Sequence, residues 1–163
     1  MMNPNAMRKG LESQKQEKLA SVQQETASRY KGIEQNKRLQ LKRAEMGGQS
    51  SIKQLEQRLS EFRSQVNSPD THPKKKSMLQ KAISQVRSQI ESVKERVRSQ
   101  KRGIEFQAKM QKENVEINYG RTKSNLLRQF AEQFLRVGVM EQQMKQAQMA
   151  NSMQNKEAGK MAG

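Results

Sequence analysis

The chain has 163 residues, the length of one domain, but only 32% are hydrophobic and 4% aromatic, with no Trp and a mean hydropathy of -1.09. A compact globule carries about 45–50% apolar residues, so a thick single core is excluded, leaving disorder or a thin helical architecture with narrow apolar seams. The net charge of +16, from 32 Lys+Arg against 16 Asp+Glu, calls for an anionic partner or a solvated basic coiled coil, and the lack of Cys excludes disulfides, a thiol nucleophile and Cys-based metal sites.

Residues 1–10, with Pro4 and Gly10, read as a flexible tail. No signal-peptide core and no run of ~18 apolar residues is visible. Residues 11–46 are expected to form an N-terminal helix, with Leu19, Val22, Thr26, Tyr30 and Ile33 on one face. The adjacent Gly47 and Gly48 predict a break, since each costs about 1 kcal/mol in a helix interior. Ser51 is then expected to cap a new helix, with Gln54 as its capping-box partner.

Ile52, Leu55, Leu59, Phe62 and Val66 step three and four residues in a heptad seam. A second seam follows at Leu79, Ile83, Val86, Ile90, Val93 and Val97. Between them lies VNSPDTHPKKKSML, with two prolines and the only histidine. The pattern predicts an antiparallel helical hairpin over 49–118 that turns near 67–76, with Ser77 or a neighbour starting its second arm. Val86 and Val93 place β-branched residues at both kinds of seam position, which favours more than two strands and therefore homo-oligomerisation.

Residues 104–123 keep no single register, and Gly120 reads as a helix stop. Residues 122–150 are expected to form a separate apolar, Met-rich helix. Its seam is Leu127, Phe130, Phe134, Val137, Met140, Met144 and Ala147. An apolar sector this broad needs a bundle, a partner or peripheral membrane contact through 124–149. Residues 151–163 read as a flexible tail. The expected fold class is all-α: an elongated helical hairpin or coiled coil with an additional C-terminal apolar helix, assembled as an oligomer. Leu79, Ile83, Val86, Ile90, Val93, Val97, Leu127, Phe130, Phe134, Val137 and Met140 are the candidate oligomerisation residues.

Catalytic chemistry is not visible. His72 has no second His or Cys, and Asp70 beside it belongs to the same polar turn. Neither a phosphate-binding glycine loop nor a triad is present. No enzyme activity, metal or cofactor is expected. The informative feature is the basic distribution: residues 74–123 hold fourteen Lys+Arg against five Asp+Glu. Arg87, Lys94 and Lys101 recur every seven residues beside the seam, Arg98 and Arg102 lie further round, and Lys74, Lys75 and Lys76 extend the stripe to the turn. Such a stripe suits non-specific nucleic acid through its phosphates, or another anionic partner. The competing expectation is that Glu residues of a neighbouring helix neutralise it, but Glu56 and Glu61 are too few.

With its Gln/Lys/Arg-rich helical style and the stretch NVEINYGRTKSNLLRQFAEQF, the chain resembles the short internal-core or ejection proteins of short-tailed bacteriophages. The resemblance implies a multicopy ring inside the virion, beside the portal and other virion proteins and in contact with packaged DNA; otherwise the expected location is cytoplasmic. The strongly apolar N-terminal segment of a membrane pore is missing. In architecture the chain is also similar to the basic helical stalk of flagellar and type III export machines. Such stalks pair their terminal halves around a central turn, as residues 11–66 and 77–130 could, and bind acidic protein partners.

Overall fold

The computed structural model describes residues 3–161, and those residues form two helices. Helix α1 runs Pro4–Val66 and helix α2 runs Pro73–Met161. Both begin with the same device. Asn3 accepts a hydrogen bond through Oδ1 from the Asn5 N–H at 3.1 Å, and His72 accepts one through Nδ1 from the Lys74 N–H at 3.2 Å. Each cap is followed by Pro at the first helical position, where no amide hydrogen is required. Pro73 is therefore inside the second helix rather than before it, and His72, not Ser77, starts that helix. In the turn, the Gln65 carbonyl at the end of α1 accepts two hydrogen bonds, from the Ser68 N–H at 3.3 Å and from the Thr71 hydroxyl at 2.7 Å.

One period of eleven residues organises the inward faces. On α1, Leu11, Val22, Ile33, Ala44, Leu55 and Val66 are all half-buried at this spacing. On α2, Val93, Ile104, Val115, Leu126 and Val137 do the same, with Val137 fully buried. Away from the turn the inward residues between members step four, four and three, as with Lys37 and Leu41 between Ile33 and Ala44. Beside the turn, Leu55, Leu59, Phe62 and Val66 and then Leu79, Ile83, Val86, Ile90 and Val93 alternate steps of four and three. Eleven residues make three helical turns at about 3.67 residues each, so the stripe stays on one face.

The chain divides into two compact units. The first joins the chain up to Arg29 with the chain from Asn114 onward. Its antiparallel pairing is marked by the Arg8–Glu141 ion pair and by Lys18 lying 5.6 Å from the Phe130 ring centre. Phe130 and Val137 are its buried residues of α2. The second unit, Tyr30–Glu113, is a helical hairpin about the turn. Its core is Leu59, Val86 and Ile90, with Ile52, Leu55, Phe62 and Ile83 packed around them. Burying each of the three core side chains contributes about 1.5–3 kcal/mol, and the half-buried ones contribute less.

Several expected boundaries do not exist. Helix α1 passes through Gly47 and Gly48 unbroken, so residues 11–46 are not a separate helix and Ser51 is interior, not a cap. Gly48 has a packing reason to be glycine: it is buried, and a Cβ there would collide with the Val97 side chain. Helix α2 passes through Gly103 and Gly120, so 122–150 is not a separate apolar helix. In that stretch Leu135 is 70% exposed, which makes the apolar sector two-sided rather than a seam. Pro4–Gly10 and Asn151–Met161, expected as tails, are helical; the remaining ends of those expected tails, 1–2 and 162–163, lie outside the described residues.

The glycine pair gives a paired test. Gly47→Ala meets open space and should raise stability to urea by about 1 kcal/mol. Gly48→Ala should lower it by about 1–2 kcal/mol, the overpacking cost against Val97 exceeding the helix-propensity gain. Equal effects of the two would contradict the packing described. At the turn, His72→Ala should cost about 0.5–1 kcal/mol in thermal unfolding, and His72→Asp should restore it.

Candidate basic interface

The hairpin unit carries most of the charge: Tyr30–Glu113 contains twenty Lys+Arg against nine Asp+Glu, a net of +11 out of +16. The eight candidate basic residues all lie on α2 in this unit, but the structure separates them into two groups. Lys74, Lys75 and Arg87 are exposed and Lys76 is half-buried. None of these four has an ion-pair partner among the described residues.

The other four are engaged within the chain. Lys94 lies 3.5 Å from Glu91, and Arg98 and Arg102 share Glu95 at 3.4 and 3.0 Å. Lys101 reaches across to Glu45 of α1. Eleven residues on, Lys112 reaches Glu34 at 3.3 Å, so two cross-helix pairs repeat with the period of the seam. Glu34 and Glu45, not Glu56 and Glu61, are the acids the neighbouring helix supplies. The eleven-residue spacing shared by Glu34 with Glu45 and by Lys101 with Lys112 is the sequence signal that finds them. These pairs are partly exposed, and such pairs contribute little net stability. Their effect is to reduce the free charge of the stripe.

The candidate oligomerisation residues are mostly spent inside the chain. Leu79, Val86, Ile90, Phe130 and Val137 are buried, and Ile83, Val93, Val97 and Phe134 are half-buried. Leu126 and Glu141 occupy the inward face where Leu127 and Met140 were expected, leaving Leu127 39% and Met140 44% exposed. Met140 also lines an apolar cavity of about 450 Å³ in the first unit, with Met7, Leu11 and Val137.

Among the described residues no group of three or more His, Asp or Glu is placed to hold a metal ion. None of their helices is long and apolar enough to cross a membrane. Comparison with known protein families, with curated proteins and with solved structures finds no match.

Two carboxylates are electrostatically marked. The hydrogen bond from Lys112 holds Glu34 below the usual carboxylate value of 4.5, against an opposing desolvation effect. The hydrogen bond from Arg8 does the same for Glu141. A depressed folded-state value means that each contribution to stability is present above the ordinary carboxylate range and is lost as pH falls through the lowered value. The Glu34→Gln, Glu141→Gln double variant should therefore lose less stability than the parent when pH is lowered below 4.5. Thermal melts across that window check this, and parallel losses would contradict it.

Proposed function

We propose that this protein is a non-enzymatic helical-hairpin stalk or adaptor that binds an acidic partner protein. One observation carries the reading. The segments before Arg29 and after Asn114 pair with each other, while Tyr30–Glu113 folds back on itself around a short turn. This is the arrangement that the similarity to flagellar and type III export stalks implies. The positive surplus of the hairpin supplies the chemistry that selects an acidic surface.

A second reading is favoured by Lys74, Lys75, Lys76 and Arg87, which stand outside the ion pairs described above. In it the protein is a multicopy internal virion protein whose hairpin meets packaged DNA through phosphate contacts, with Lys94, Arg98, Lys101 and Arg102 exchanging their internal acids for phosphates. Its ring would bring outward residues such as Leu127 and Met140 against a neighbouring copy. Peripheral membrane contact through 124–149 would rest on the exposed Leu135 and Val139.

A mobility-shift titration with random-sequence duplex DNA separates the two. The stalk reading expects no retention at physiological salt. Retention that falls with salt by about 0.9 logarithmic units per phosphate contact, and that is lost in a Lys74→Glu, Lys75→Glu, Lys76→Glu, Arg87→Glu variant, would replace it with the virion reading.

A further inference from the structure

The two flanks of the hairpin unit differ in a way its folding does not require. On one flank, Glu45 and Lys101 are paired, with Lys94 and Arg98 beside them and engaged by Glu91 and Glu95. On the other, a groove of about 730 Å³ opens between α1 and α2. Its lining contains no acidic residue. Arg43 stands on its α1 side and Arg96 on its α2 side. Neither makes an ion pair among the described residues.

Gly47 and Gly103 also line this groove, one from each helix. Unlike Gly48, neither is needed by the chain's own packing: no heavy atom lies within 4 Å of where a Cβ would stand. Each nevertheless costs about 1 kcal/mol relative to Ala in a helix interior. Bare backbone on both walls of a groove lets another backbone come close, and helices pack at about 8–10 Å between axes, the spacing set by the side chains at the contact.

We infer that the groove lined by Arg43, Gly47, Arg96 and Gly103 seats an α-helix of a partner protein, with acidic side chains of that helix meeting the two arginines. The inference rests on the acidic-partner reading above and assigns the site to it. Charge decides the occupant. A second copy would bring another unit of net +11 against this one, and like-charge juxtaposition opposes that contact. A phosphate backbone would need free donors, and the backbone N–H groups of Gly47 and Gly103 lie in helix interiors, where they are spent on the helix's own hydrogen bonds.

The test uses the full chain and a synthetic amphipathic helical peptide rich in Leu and Glu, titrated by fluorescence anisotropy at physiological salt. Circular dichroism confirms that each variant remains helical. Gly47→Leu with Gly103→Leu fills the groove, and Arg43→Gln with Arg96→Gln removes its charge. Each pair is expected to weaken binding about tenfold or more, while Lys94→Gln with Arg98→Gln on the opposite flank leaves it within about threefold, the size of a rim-charge effect. If the peptide binds but the groove variants match the opposite-flank variant, the groove assignment is overturned and the acidic-partner reading stands. If the peptide does not bind at all, both are overturned.

Discussion

The pairing of two inward faces that repeat every eleven residues is the constraint on which everything else depends. Leu11, Val22, Ile33, Ala44, Leu55 and Val66 face the partner helix from α1, and Val93, Ile104, Val115, Leu126 and Val137 face it from α2. With 32% hydrophobic residues, the chain cannot build a broad core. It can build a single stripe, because an eleven-residue repeat returns to the same face of a helix after three turns. The intervening inward positions need not be apolar: Lys101 and Lys112 are half-buried and reach across to Glu45 and Glu34, so the stripe alternates aliphatic packing with cross-helix ion pairs.

That alternation shapes the electrostatics. Where the seam recruits lysines, acids from α1 answer them, and the surface beside them is neutralised. Where it does not, at the turn and on the Gly47–Gly103 flank, positive charge remains without an internal counterpart. The surplus of the hairpin unit is thus distributed by the seam, not spread evenly around the helices. The basic stripe read as one surface becomes a free tip and a neutralised flank, while the groove with the unpaired Arg43 and Arg96 lies outside that stripe. This division moves the functional reading from a uniform phosphate track towards a directional surface for an acidic partner.

Much of the hairpin was legible from the residues. Ile52 to Val66 and Leu79 to Val97 carry dense aliphatic steps of three and four, and the proline-containing stretch between them marks the turn, although Pro73 itself opens α2. The rest was hidden by period and by residue type. A search for heptads loses the stripe beyond Val97, where Lys101, Ala108 and Lys112 occupy inward positions and Leu126 replaces Leu127. Glycine propensity argued for breaks at Gly47–Gly48 and Gly120, but a helix of 63 or 89 residues held by tertiary packing overrides a local cost of about 1 kcal/mol per glycine. His72 was correctly placed in a polar turn; its role as the acceptor that starts α2 needed the geometry of the Lys74 amide. Within the candidate interface, the residues were visible as a charge run, while their partition required Glu34 and Glu45 to be placed opposite them.

The central claim is that the terminal segment of α1 pairs with α2 of the same chain. Because the chain has no cysteine, spin labels can be introduced singly at Gln14 and Gln133, which line the same cavity of the first unit. Pulsed dipolar spectroscopy of the doubly labelled protein should give one short, narrow distance that persists unchanged on dilution with unlabelled chain. A broad distribution, or a short distance that disappears on dilution, would contradict the account.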